Sequence, residues 1–274
     1  MRRIVVIGDQ HGYNTWEKAL EYYGEPKVGE LEYVMLGDYF DSFRNNQQTC
    51  LDNYLKIMEY RKSHDGFVVL IGNHDLHYFI NNGKDICSGF SHEHAFTNQR
   101  ALCENQSLMK IGHRITTSDA ELIFTHAGIT QFWADEVVPK FGGVLDEIFE
   151  YNTWLKEYDD YENIDTNTPY KIESLNWNSL KGYNAYGDTV SNGCVWVRPN
   201  SLSSNPKKFG VAKNIQFVGH TPIKVSSVSM NWYRCTTDPD VDFVMCDTAT
   251  FVTTIVLDDN NNVADIEKVD VGNK

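Results

Sequence analysis

The chain has 274 residues, 41% of them hydrophobic, which is enough to bury a proper core and lies within the range of one large domain. A formal net charge of −14 makes a bare nucleic-acid backbone a poor partner, and no run approaches the ~18 consecutive apolar residues that a membrane span needs. The six cysteines show no CxxC spacing and the first apolar run is too short for a signal-peptide core, so neither a zinc knuckle nor a disulfide framework is suggested, and a reduced, cytoplasmic setting is expected.

Ile4-Val5-Val6-Ile7 reads as a buried strand running into Gly8-Asp9-Gln10-His11-Gly12, followed by a helical segment from Thr15 to Tyr23. Tyr33-Val34-Met35-Leu36 is a second strand, ending in Gly37-Asp38-Tyr39-Phe40-Asp41. From Gln47 to Ser63 the residues Leu51, Tyr54, Leu55 and Met58 fall at helical spacing. Phe67-Val68-Val69-Leu70-Ile71 leads into Gly72-Asn73-His74-Asp75, and Leu122-Ile123-Phe124 into Thr125-His126-Ala127-Gly128. Residues 130 to 160 again look helical, with breaks at Pro139 and Gly142-Gly143. Between Asp159 and about Lys213 the chain turns rich in Asn, Ser, Gly and Tyr without a period, which predicts a loop-dominated region lying over the site. Ile215 to Val218 then meets Gly219-His220-Thr221-Pro222, and strands are expected at Phe243 to Cys246, Phe251 to Leu257 and Val263 to Val269. Asp258-Asp259-Asn260-Asn261-Asn262 between the last two predicts a hairpin. Strands alternating with helices, then further strands, imply an α/β protein: a two-sheet sandwich with helices outside, as one domain over 1–274.

Each of the five motifs follows a buried strand and carries residues able to hold a metal, so their side chains are expected to converge on one rim of the sheets. Asp9 and His11, two positions apart on a strand end, would point the same way and offer a carboxylate and an imidazole to one cation. Asp38 adds a carboxylate that could bridge two ions, and Asn73, His126 and His220 supply a neutral oxygen and two imidazoles to a second. Such a mixed N/O set suits two divalent transition metals (Mn, Fe, Zn, Ni or Co) rather than calcium. Two ions ~3.5–4 Å apart can clamp a phosphate and lower the pKa of a shared water from about 15.7 towards ~7, giving a bridging hydroxide for in-line attack. His74, beside Asn73, would then protonate the leaving oxygen if Asp41 orients its other nitrogen.

In these motifs the chain resembles the calcineurin-like metallophosphoesterases, especially their phosphoprotein-phosphatase branch, including bacterial and phage Ser/Thr phosphatases. The family pattern GDxHG, GDxxDRG, GNH(D/E), a His-Ala-Gly step and GH reads here GDQHG, GDYFDSF, GNHD, THAG and GHTP, spanning residues 8 to 222. The resemblance implies the calcineurin-like metallophosphoesterase fold, with Asp9, His11 and Asp38 on the first metal and Asp38, Asn73, His126 and His220 on the second. His74 and Asp41 would match the family's proton-donor pair. Ser42-Phe43 stand where phosphomonoester-cleaving members carry Arg-Gly, and a serine cannot reproduce the planar fork of Arg. Arg198, in a Trp-x-Arg-Pro step similar to one before the last motif of bacterial and phage-like members, is the better substitute, with Arg44 the other candidate. Arg198 and Asn73 are therefore the residues expected to meet the substrate.

His64, His77, His92, His94 and His113 are expected to be solvated or core histidines, and Asp247-Thr248 structural support. Trp177, Tyr183, Tyr186 and Trp196 could stack a nucleobase, although packing of a long loop is the commoner use of such residues. The function expected is metal-dependent hydrolysis of phosphomonoesters, phosphoserine and phosphothreonine included, with a phosphorylated small molecule, phosphoprotein or dinucleotide as partner and neither membrane nor nucleic acid. GNHD and GHTP also resemble the diadenosine tetraphosphatases, so dinucleoside polyphosphate hydrolysis is one alternative. A non-catalytic metal-binding scaffold is another.

Overall fold

Strands buried on both faces build the centres of both sheets of this protein. In a computed structural model, the described residues are 1–80, 86–141, 144–150, 180–182, 186–223, 232–234 and 238–272. The first part runs β1 (Arg2–Ile7), α1 (Thr15–Tyr23), β2 (Leu31–Met35), α2 (Gln47–Ser63), β3 (Phe67–Leu70), α3 (Asn73–Ile80) and α4 (Ala95–Asn105). Then come β4 (Met109–Lys110), β5 (Gly112–Thr116), β6 (Ala120–Thr125), the short helix α5 (Pro199–Ser204), β7 (Lys213–Val218), β8 (Trp232–Arg234), β9 (Val241–Met245), β10 (Phe251–Leu257) and β11 (Val263–Asp270).

One sheet has the order β11-β10-β1-β2-β3-β4 and the other β5-β6-β7-β9-β8. β1, β2, β3 and β4 run parallel, as do β6, β7 and β9, so each sheet presents strand carboxyl ends in series. Ile4 and Val6 of β1, with Val34 and Val68, face Leu122, Phe124, Ile215 and Phe217 between the sheets. Val5 and Ile7, with Tyr33, Met35 and Val69, point the other way against Trp16, Tyr54, Ile57 and Met58 of the helices. A one-residue slip would exchange those faces, and burial on both sides fixes the register.

α1 and α2 keep the boundaries expected from their periodicity. Asn46 caps α2 by accepting from Thr49 N at 2.8 Å, and Arg61 and Lys62 lie in its last turn, where cations favour the helix dipole. α1 stops at Gly24, whose φ is +97°. A buried bond from Trp16 Nε1 to Asn53 Oδ1, 2.9 Å, joins the two helices. The expected C-terminal hairpin pairs β10 with β11 and turns through Asn261 at φ +61°.

Several segments differ from expectation. The helical stretch after 130 is broken into one wide turn over Trp133–Val137 and 3-10 turns over Val138–Phe141 and Leu145–Phe149. Pro139, which has no N–H to donate, sits within it. His113, expected to be a solvated or core histidine, lies half-buried on β5 against Phe124. α5, with Pro199 at its first position, falls inside the stretch expected to be loop. The rest of the 159–213 expectation lies partly outside the described residues. Among the described residues no helix is long and apolar enough to cross a membrane.

Phe124 and Phe217 stack between the sheets with ring centroids 5.0 Å apart, both fully buried. Phe217→Ala should therefore lower stability by about 3–5 kcal/mol, read as a reduced urea midpoint at unchanged m-value.

Candidate metal centre and active site

The strand ends place the motif residues, but loops aim them. β1 ends at Ile7, so Asp9 and His11 lie beyond the strand, and His11 has a left-handed backbone at φ +42°. The two-residue strand period therefore does not bring them together; the turn after β1 does. Asp38 (φ +55°), Asp41 (+62°) and His220 (+62°) are left-handed as well. Among the described residues the only other non-glycine with positive φ is Asn261 in the hairpin turn. Each such residue costs about 1–3 kcal/mol and persists only where its surroundings hold it.

Asp75 supplies much of that hold. Its Oδ2 accepts from Asp38 N and Gly72 N, both at 2.8 Å, and its Oδ1 from Tyr39 N at 2.7 Å, tying the loop after β2 to the loop after β3. Asp38 Oδ1 in turn accepts from His74 N at 2.9 Å, and Asp9 Oδ1 from His220 N at 3.0 Å. Two glycines make room for these carboxylates. A Cβ on Gly72 would lie 2.1 Å from Asp38 Oδ1, and one on Gly219 would lie 2.3 Å from Asp9 Oδ1.

The six expected ligands come together. Asp9, His11 and Asp38 offer ligand atoms within 4.8 Å of one another, and so do Asp38, His126 and His220, with Asp38 common to both groups. His11 Nδ1 donates to the Phe40 carbonyl at 2.6 Å and His126 Nδ1 to the Leu36 carbonyl at 2.8 Å, because a carbonyl can only accept. Both Nε2 atoms are thereby left as lone-pair donors. Asn73 Nδ2 donates to Cys87 Sγ at 3.2 Å, which turns Asn73 Oδ1 to within 2.8 Å of both His126 Nε2 and His220 Nδ1.

An acceptor oxygen facing two imidazole nitrogens needs a proton or a cation between them. The electrostatics agree. Burial, followed by the nearby Asp38, pushes the Asp9 carboxyl up to about 7 against the pull of His126, and burial and Asp9 push Asp247 up to about 8. Burial opposes a charge on His126, but Asp38 and Asp9 outweigh it and raise that ring to about 10. Burial and the neighbouring His126 hold His220 well below the usual histidine range, and its Nε2 is buried without a hydrogen-bond partner. Protons on these groups compensate charge that divalent cations would compensate better, so the donor set fits two such ions.

Beside this cluster His74 Nδ1 donates to Asp41 Oδ2 at 3.0 Å. Asp41 is fully buried, yet the hydrogen bond from His74 and the close His77 ring outweigh burial and hold its carboxyl down at about 2. Tyr78 donates to Asp41 Oδ1 at 2.5 Å. Burial disfavours charge on His74, but Asp38 and Asp41 together raise its pKa. His77, expected to be solvated or core, is core and lies against Asp41, with Nε2 2.7 Å from Oδ2. Sequence reasoning gave Asp75 no role and took His77 for a solvated or core histidine. Their signal is their place in the first turns of α3, where Asp75 can cap backbone N–H groups and His77 shares a face with His74.

A cavity of about 870 Å³ opens over the cluster, lined by Asp9, His11, Asp38, Asn73, His74 and His220 and also by Arg44, Arg198, Trp196 and Tyr186. Arg198 Nη1 donates to the His220 carbonyl and to Thr221 Oγ1, each at 3.1 Å, whereas Arg44 is exposed on the rim. Ser42 Oγ accepts from Arg44 N at 3.1 Å and Asn45 N at 2.9 Å, so this departure from the family pattern caps a turn. Trp196 packs over His220 with ring centroids 5.8 Å apart, while Trp177 and Tyr183 lie outside the described residues.

The two sheets thus present their loops on a common rim, where two of the three candidate metal groups among the described residues share Asp38 and the third is His74, His77 and Cys87. The family model for calcineurin-like phosphoesterases matches residues 2–246, and the chain belongs to that family. It is accordingly a hydrolytic phosphoesterase of a divalent-metal-dependent family. Among solved structures, a cold-active protein-tyrosine phosphatase of a psychrophilic Shewanella species matches at 16% identity over 95% of this chain and 76% of that one, TM-score 0.51. A point mutant of a cold-active protein tyrosine phosphatase matches at 15% identity over 99% and 78%, TM-score 0.52. At these identities the likeness is one of fold. No curated protein sequence matches the chain.

Removing divalent ions should destabilise the protein more at pH 8 than at pH 5.5. Asp9 and Asp247 have folded pKa values raised above the unfolded 3.8, so the metal-free fold gains stability as pH falls from about 8 towards about 4. Melting temperatures with and without chelator at the two pH values check this; a chelator effect equal at both would count against it.

Proposed function

We propose that the protein hydrolyses phosphomonoesters, phosphoserine and phosphothreonine side chains among them, at a centre of two divalent ions, manganese foremost. Asp9, His11 and Asp38 would hold one ion, and Asp38, Asn73, His126 and His220 the other. Ions bound there neutralise phosphate charge and make a water acidic enough to attack phosphorus near neutral pH. The observation that carries the reading is the coupling of His74 to both halves of the site: its backbone N–H meets Asp38, shared by the two ligand groups, at 2.9 Å, and its ring meets Asp41 at 3.0 Å.

With Nδ1 engaged by Asp41, the ring's Nε2 is left for the leaving-group oxygen, and the raised pKa of His74 favours the protonated form that an acid needs. Arg198 is the group we assign to the non-bridging phosphate oxygens, since Nη1 is anchored on the His220 turn and its other nitrogens stay available. Asn73, whose Nδ2 is turned to Cys87, would meet substrate only on the side of its ion-facing oxygen.

One observation supports a second reading. A cavity of about 870 Å³ with Trp196 and Tyr186 in its lining is larger than one phosphate fills, which suits a dinucleoside polyphosphate. Hydrolysis by Mn²⁺-loaded protein of an aryl phosphate, a phosphothreonine peptide and diadenosine tetraphosphate, side by side, separates the two. Preference for the dinucleotide would displace the phosphomonoester reading.

Asp38→Asn should lose bound metal and activity together, whereas His74→Asn should keep its metal and lose about 10²–10⁴-fold in kcat. Metal content measured on the same samples as the rates checks both. Arg198→Ala should raise KM sharply with metal content retained, and unaltered kinetics would dispose of its assigned role.

A further inference from the structure

We infer that His77 is a positioning residue for the acid pair, fixing the carboxylate of Asp41 so that His74 holds its proton towards the leaving group. The inference rests on the reading of His74 as the proton donor.

His77 follows His74 by three positions on α3, which places the two rings on one face a turn apart. Its side chain is fully buried. Nδ1 accepts from the backbone N–H of Cys87 at 3.0 Å, so that nitrogen bears no proton and the ring's single N–H must be at Nε2. That atom lies 2.7 Å from Asp41 Oδ2 with its N–H off the line to the oxygen, a close charge–dipole contact rather than an aligned hydrogen bond, and His74 Nδ1 meets the same oxygen at 3.0 Å. Tyr78 and Phe90 meet the ring edge-on, with centroids 4.4 and 4.9 Å away, and fix its plane.

Asp41 needs such support. Its backbone is left-handed, and its two oxygens are shared among His74, His77, Tyr78 and, at 3.4 Å, Gln47. Tyr78 secures Oδ1, and its own oxygen accepts from Ser91 N at 3.0 Å. Without His77, Oδ2 would keep only the His74 contact, and rotation of the carboxylate would carry the His74 ring with it. A neutral second imidazole holds that oxygen without competing for the charge. The loop that supplies Cys87 N–H thereby reaches the acid through His77.

The test compares His77→Phe with His74→Asn on two substrates: an alkyl phosphate, whose leaving oxygen must be protonated, and 2,4-dinitrophenyl phosphate, whose leaving group departs without a proton. On the alkyl phosphate His77→Phe should lower kcat by about 10–100-fold at unchanged KM and metal content, with a fall at least about tenfold smaller on the dinitrophenyl ester. His77→Gln, whose amide N–H can stand in for Nε2–H, should recover most of the loss, whereas His77→Asn, too short to reach Asp41, should not. If His77→Phe does not fold, the Gln and Asn variants carry the same comparison. An equal loss on both esters, or none, overturns the role of His77 while leaving His74 in place. If His74→Asn itself loses equally on both esters, the assignment of His74 as the acid fails first.

Discussion

Three backbone N–H groups converge on the carboxylate of Asp75, and the site hangs on that convergence. Asp38 and Tyr39 follow β2, Gly72 follows β3, and α3 begins immediately after. By binding all three, Asp75 fixes the left-handed turn at Asp38 and the direction in which α3 leaves the rim. The turn aims Asp38 at both candidate ligand groups, and the helix brings Asn73, His74 and His77 to the rim in order. An unsatisfied buried N–H costs roughly 1–3 kcal/mol, comparable to the cost of one left-handed residue. The clamp is therefore of the right size to hold a strained backbone in place.

The same rim concentrates negative charge where water is scarce. Asp9, Asp38, Asp41 and Asp75 are all buried, and Asp247 stands beside them. They part company according to their partners. Asp41, between two imidazoles, keeps its charge, whereas burial pushes Asp9, Asp75 and Asp247 up into the neutral range, helped by Asp38 for the first two and by Asp9 for the third. Such an arrangement is poorly stable by itself and well matched to divalent cations. It also sets the pair of His74 with Asp41, held charged, apart from the raised carboxyls next to it.

Much of this was legible from residues alone. The apolar runs of β1, β2 and β3 and the helical spacing of α1 and α2 were plain because the strands are buried on both faces and the helices on one, so tertiary packing agrees there with local pattern. The six candidate ligand positions could be picked out because each follows a strand that must be buried. Less legible were α3, α5 and β5. α3 starts inside a motif and its length is set by packing, α5 is too short to show a period, and β5 carries polar residues at an edge. The reason first given for Asp9 and His11 meeting did not survive, since the strand ends before them. The parts played by Asp75 and His77 were not legible because nothing local distinguishes a carboxylate that binds N–H groups of another loop, or an imidazole that faces an aspartate 36 residues earlier in the chain.

Sequence by itself determined which atoms could bind metal and on which strands they would ride, because strand period and motif order are local properties. Tertiary structure decided which nitrogen of each histidine is available, which way Asn73 turns its oxygen, and which partners hold Asp41 and Asp38 in strained backbone. Those choices depend on hydrogen bonds between residues as far apart as Leu36 and His126, and such partners exist only once the two sheets have packed.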